Sequence, residues 1–152
     1  MSGDCSYGIS EKRAIKKIKS PEVIRLQQVI SENIGVSKVY DDTTANGLTI
    51  CIIDFIKIVK KQQAERFHSG GIPYIDPTTK KQKFAKPITT SGTADLHCTI
   101  KGKSVKIEVK TGNDRQSENQ KAYQKSIEKA GGIYFIARDF SSFSWWYKKT
   151  FE

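Results

Sequence analysis

Cysteine is scarce in this chain. Among 152 residues there are three, Cys5, Cys51 and Cys98, with no C-x-x-C spacing. That excludes a disulfide scaffold, and an odd count without a secretory signal fits a reducing compartment. Histidine is scarcer still: His68 and His97 are the two present, and together with Cys98 they lack the spacing of a zinc site. A long apolar run is also missing. The best stretch, 48–59, holds Asp54 and Lys57 and is too short to cross a bilayer, so no membrane segment is expected. The first ten residues lack the apolar block of a signal peptide, and a cytoplasmic location is expected. Acidic residues are the last shortage: 16 against 26 Lys and Arg, a formal net charge of +10. Such an excess favours an anionic partner, nucleic acid before an acidic membrane surface; the plainer account is solubility alone.

What is present divides at about residue 45. Residues 10–19 read as a short basic helix carrying Lys12, Arg13, Lys16 and Lys17. Ser20-Pro21 supplies an N-cap and a first-turn proline, Val23, Leu26, Ile30 and Ile34 follow helical spacing, and Gly35 stops the helix. This gives an N-terminal helical extension over 1–45. The remainder, 46–152, reads as one domain with the order α-β-β-β-α-β. It comprises a polar loop over 41–47, a helix over 49–62 with strand as its competitor, a strand over 64–69, and a long loop or irregular hairpin over 72–91. A strand pair over 94–110, a helix over 115–130 closed by Gly131-Gly132, an apolar strand over 133–137 and an aromatic helix over 141–149 follow.

The strand pair can be registered from sequence. Ala94, Leu96, Cys98 and Ile100 alternate with Asp95, His97 and Thr99; Val105, Ile107 and Val109 alternate with Ser104, Lys106, Glu108 and Lys110. Lys101-Gly102 suits a two-residue turn. Pairing across it sets Ile100 against Lys103, Cys98 against Val105, Leu96 against Ile107, and hence Asp95 against Glu108, with Lys110 on the same face. Like charges placed opposite one another destabilise a sheet. A divalent cation held by both carboxylates would offset that, and a lysine beside it can hold or deprotonate a water and stabilise charge on a phosphate.

Asp followed by Glu-x-Lys on adjacent strands resembles the PD-(D/E)xK nuclease superfamily. Gly92-Thr93-Ala94-Asp95-Leu96, Ile107-Glu108-Val109-Lys110, Ser117-x-x-Gln120 and Gly131-Gly132-Ile133 narrow the resemblance to the VRR-NUC branch, particularly its small stand-alone, phage-type members, over about 46–147. The resemblance implies an α/β restriction-endonuclease-like core, a central mixed sheet flanked by helices. It implies Mg²⁺ or Mn²⁺ held by Asp95, Glu108 and the Val109 carbonyl, with Lys110 and Gln120 completing the catalytic set. The implied activity is metal-dependent endonucleolytic hydrolysis of DNA, selective for branched structures such as four-way junctions, by a homodimer in a bacterial or phage-infected cell. A flap or duplex endonuclease, or a DNA-binding module without catalysis, are the alternatives.

The family pattern also has an acidic residue on the helix before the first strand. Here Asn46 stands near that place, and Asp54, Glu65 and Glu22 are the candidates for a third acidic ligand, if there is one. Gln120 doubles as the third helical residue of a capping box begun by Ser117. Candidate substrate contacts are Arg66 and His68 on the strand before the long loop, His97 opposite Lys106, Lys80, Lys81, Lys83 and Lys86 in the loop, and Arg115. Tyr123 is as suited to the core as to the site. Trp145, Trp146 and Tyr147 are expected to pack rather than stack on bases.

Overall fold

The computed structural model describes residues 20–67, 72–85 and 90–152. The helix expected over 10–19, His68 and Lys86 lie outside them. Chain order within them is α1 (Pro21–Ile34), α2 (Ala45–Asp54) running into a π-helical turn (Phe55–Val59), β1 (Gln63–Arg66), β2 (Ile72–Ile75), β3 (Gln82–Ala85), β4 (Leu96–Ile100), β5 (Lys103–Val109), α3 (Glu118–Lys129), β6 (Ile133–Ala137) and α4 (Phe140–Phe151). Four strands form a mixed sheet in the order β1-β4-β5-β6; β2 and β3 make a separate ribbon. The first two pairs of the sheet are antiparallel, and β5 and β6 are parallel across α3.

The β4–β5 register is the one that alternation dictates: Leu96 faces Ile107, Cys98 faces Val105 and Ile100 faces Lys103. Lys101 and Gly102 turn with φ of 47° and 76°, the paired positive angles that match a two-residue turn to the strand twist. One sheet face is therefore apolar. Leu96, Cys98, Ile100, Val105, Ile107, Val109 and Ala137 join one core cluster with residues of α1, α2 and α4. Its centre is Phe55, whose ring meets Phe140, Phe143 and Tyr147 edge-on at 5.7, 5.7 and 5.1 Å. Cys51 and Cys98 are buried free thiols there, and loss of solvation pushes both up to about 12.

Local signals place the helices. Ser20 Oγ accepts from Val23 N–H, Gly35 closes α1 in the left-handed region, and Val23, Leu26 and Ile30 are its buried face. Helix α1, expected in a separate N-terminal extension, thus shares the core of the sheet. Helix α2 starts earlier than expected, at Ala45, because Thr44 caps it by accepting from Gly47 N–H. It ends in a wider turn in which Lys60 N–H reaches back to Phe55 O at 3.0 Å. Helix α3 starts later than expected, at Glu118, because the Ser117–Gln120 capping box defines its entry. It has no fully buried residue, and it crosses the other, polar face of the sheet, where Tyr123 meets Tyr134 edge-on at 6.3 Å. Residues 72–85, read as loop or irregular hairpin, are a regular ribbon in which Pro73 pairs with Phe84 and Tyr74 with Lys83. Of the terminal aromatics, Tyr147 is core and Trp146 stacks on Phe135 at 4.2 Å. Trp145 departs from the packing expected of it: it is exposed under Lys149.

Candidate functional site

The polar face of the sheet concentrates its chemistry where β4 begins and β5 ends. Asp95 is the residue before β4, and the strand starts at Leu96 rather than earlier because the Asp95 side chain has taken over the next rung of the ladder. Its Oδ2 accepts from Val109 N–H at 2.8 Å, while its own carbonyl accepts from Phe67 N–H at 2.8 Å. The carboxylate is thereby bolted to the end of β5, beside Glu108.

The loop bearing Asp95 is fixed by Gly92. That residue has φ of 81°, and a Cβ on it would stand 2.4–2.5 Å from the backbone of Asn119 and Gln120. Only glycine combines this angle with so close an approach. Asn119 Nδ2 also donates to Ser91 Oγ at 2.8 Å. The loop before Asp95 and the first turn of α3 are therefore docked on each other, which sets Gln120 over the strand ends.

Glu108 lies at the centre of the cluster. It is 1% exposed. Gln120 Nε2 donates to its Oε1, Tyr134 OH reaches its Oε2 at 3.5 Å, and Lys110 Nζ stands 3.2 Å from Oε1. Burial and, after it, the charge of Asp95 push the Glu108 carboxyl up to about 7, against the pull of Lys110 and Tyr134. Glu108 therefore ionises reluctantly beside the Asp95 charge. Lys110, 8% exposed, also lies 3.2 Å from Asp114 Oδ2. Desolvation alone would lower its pKa; hydrogen bonds to Asp114 and Glu108 outweigh that and raise it, so the ammonium keeps its proton at neutral pH. Burial likewise raises the Tyr134 phenol.

Gln120 serves two purposes at once. Its Oε1 accepts from Ser117 N–H at 2.9 Å to close the capping box, leaving its Nε2 for Glu108. The capping bond and the bond to Glu108 coexist in one side chain because an amide carries both an acceptor and a donor.

Next to this cluster, His97 pairs with Glu65 on β1 and Lys106 on β5. Its ring stacks on Phe67 at 4.8 Å, and its Nε2 is buried with no hydrogen-bond partner. Desolvation, followed by the charge of Lys106, lowers its pKa. Arg66 is exposed and donates to Asn46 Oδ1 at 2.6 Å, so the place where a third acid was sought holds an amide engaged by a guanidinium. The acidic candidates are occupied or outlying: Asp54 is held by Lys38 and Tyr40 OH, Glu22 accepts from Ser141 Oγ at 2.7 Å, and Glu65 is exposed beside His97. Among the described residues no three His, Cys, Asp or Glu side chains cluster to hold a metal. Arg115 is exposed next to Asp114, and Lys80, Lys81 and Lys83 sit on the β2–β3 ribbon rather than at the carboxylates.

Two participants escaped the sequence reading. Tyr134 sits in an apolar strand, and only the parallel register, which sets it beside Lys106, reveals that it faces Glu108. Asp114 follows Lys110 by four residues, a spacing that carries meaning in a helix but gives no warning in the turn found here. Neither a protein-family model nor a curated protein sequence matches this chain.

Proposed function

We propose that this chain is a metal-dependent nuclease with a PD-(D/E)xK core and a VRR-NUC-like site, hydrolysing phosphodiester bonds in DNA. The observation that carries the reading is the juxtaposition of Asp95, bonded through Oδ2 to Val109 N–H at 2.8 Å, with a buried Glu108 that has Lys110 Nζ 3.2 Å from its Oε1. Two carboxylates are hard oxygen donors of the kind Mg²⁺ or Mn²⁺ takes, and Mg²⁺ sites commonly use one or two carboxylates plus water and substrate phosphate. The donor set therefore fits, with Asp95, Glu108 and the Val109 carbonyl as the residues that would hold the ion. When bound, such an ion supplies Lewis acidity at a phosphate and a more acidic water.

The protein's own groups do the rest. Lys110 enters protonated, held between Glu108 and Asp114, and so acts by orienting water and stabilising negative charge rather than as a base. Gln120 and Tyr134 fix the Glu108 carboxylate by hydrogen bonds to its two oxygens. The basic excess of the chain favours the phosphate backbone as partner. Selectivity for branched DNA and action as a homodimer belong to the same proposal through the resemblance to stand-alone VRR-NUC proteins.

A second reading, a DNA-binding module that does not cut, is favoured by one observation: Asn46, tied to Arg66, stands where the family pattern has an acid. Cleavage of labelled four-way junction, flap, duplex and single-stranded DNA, with Mg²⁺ or Mn²⁺, separates the two. The nuclease predicts metal-dependent cutting that is lost in Asp95→Ala and reduced at least about a hundredfold in Lys110→Ala. Binding without cutting in any metal, equal in all three proteins, would leave the module.

A further inference from the structure

The β2–β3 ribbon stands outside the main sheet, and in the chain it lies between two segments that bond at the carboxylate site. It is inserted between Phe67, whose N–H donates to Asp95 O, and the loop from Thr90 that leads through Gly92 to Asp95. The five residue steps from Phe67 to β2 span at most ~18 Å, so the base of the ribbon lies within that reach of Phe67, whose N–H is bonded to Asp95 O. Its turn is held by Asp76, which accepts from the N–H groups of Thr78 and Thr79 at 2.9 and 3.2 Å and pairs with Lys83.

Both faces of the ribbon expose apolar groups. Paired residues share a face, so Tyr74, 45% exposed, lies beside Lys83 on one side. Phe84 and Ile75, 66% and 62% exposed, lie on the other. An isolated two-stranded ribbon is marginal in water, and exposed aromatics of this kind mark a surface that meets a partner. Charge selects which. Lys80 and Lys81 at the turn have no carboxylate partner among the described residues. A second copy docked ribbon to ribbon would set these lysines against their own counterparts. A strand of nucleic acid brings phosphates for the lysines and flat bases for the rings.

We propose that the ribbon is a nucleic-acid-binding arm for unpaired bases, with Tyr74 and Phe84 stacking on bases from its two faces while Lys80 and Lys81 hold the adjoining phosphates. It rests on the nucleic-acid reading of the Asp95 site and adds the element that recognises unstacked bases next to it.

The test is fluorescence anisotropy of the full chain in EDTA, where no cutting occurs, with three labelled probes: a single strand, a four-way junction carrying unpaired bases at its centre, and a blunt duplex. Phe84→Ala and Tyr74→Ala should each weaken single-strand and junction binding about tenfold and change duplex binding less than about twofold, whereas Phe84→Trp should restore it. Lys80→Ala and Lys81→Ala should weaken all three probes alike and each reduce the salt slope by about one. Unchanged single-strand and junction affinity in Phe84→Ala, or an equal loss on the duplex, overturns the arm. So does a Phe84→Ala variant that turns a dimer into a monomer, or releases the protein from anionic vesicles, with DNA binding intact. Cleavage with Mg²⁺ is scored separately: a chain that grips unpaired bases through the ribbon yet cuts nothing retires the nuclease and keeps the arm, and the converse retires the arm alone.

Discussion

Glu108→Gln should make the metal-free protein more stable at neutral pH, and the gain can be worked out. The Glu108 carboxyl is raised from 4.5 to about 7 by burial and by Asp95. An acid whose pKa is higher folded than unfolded costs nothing below the unfolded value, because both states are then protonated. Its penalty grows as pH rises from 4.5 and levels off above 7. With 1.36 kcal/mol per pKa unit, the full penalty is about 3 kcal/mol, of which about 2 kcal/mol develops between pH 5 and pH 7.5. Other groups titrate as well. His97, whose pKa is lowered, contributes stability that is present above its unfolded pKa and lost as pH falls, which opposes Glu108. It is common to both proteins and cancels in the difference. Urea unfolding of wild type and Glu108→Gln in EDTA, at intervals from pH 5 to 7.5, should show the variant gaining on wild type by about 2 kcal/mol across that range. Adding millimolar Mn²⁺ should then recover stability in wild type alone, by about 1.4 kcal/mol at ten times the dissociation constant. A difference that stays flat with pH would mean that Glu108 ionises freely in the folded protein, and the electrostatic basis of the proposed metal site would fall with it.

Gly92→Ala should destabilise by about 2–4 kcal/mol, since it combines a strained φ with a backbone clash against α3; thermal melts read this, and a cost under about 0.5 kcal/mol would mean that the loop and helix are not docked. Tyr134→Phe removes a donor at the outer limit of hydrogen-bond length, so its stability should change by less than about 1.5 kcal/mol. The pH at which the Glu108 penalty levels off should move upward, because a bond that favours the ionised form is lost; a downward move would contradict the assigned donor role.

The parts legible in the sequence were those set by local rules. Alternation and the Lys101-Gly102 turn determined the β4–β5 register, because a slip by one residue would expose Leu96, Cys98 and Ile107. Capping chemistry located α1, and the apolar block 133–137 gave β6 to the residue. What escaped depended on tertiary partners. The Thr44 cap and the π-helical turn shifted the second helix, whose nearly uniform apolar character hides its phase. Three prolines and several lysines across 72–91 disguised the β2–β3 ribbon within it as a loop; Pro73 is tolerated because the ribbon has no further strand to pair. At the site, sequence brought Asp95, Glu108 and Lys110 together but missed that Asp95 leaves the ladder to accept from Val109 N–H. That exchange is made by one side chain and has no periodic signature. Tyr134 and Asp114 were missed for a similar reason: a parallel crossover and an irregular turn place them, and neither leaves a pattern in spacing.

The double use of Gln120 links the opening turn of α3 to the carboxylates. The amide that seals the helix start also holds Glu108, so the first turn cannot fray while Glu108 keeps that partner, and a displaced Glu108 leaves the helix entry less well held. The Ser117 amide proton, bonded to the same side chain, then becomes a remote gauge of the site. Its exchange with solvent deuterium should slow when Glu108 is immobilised and quicken when it is released, which allows occupancy of the site to be followed without any substrate being cut.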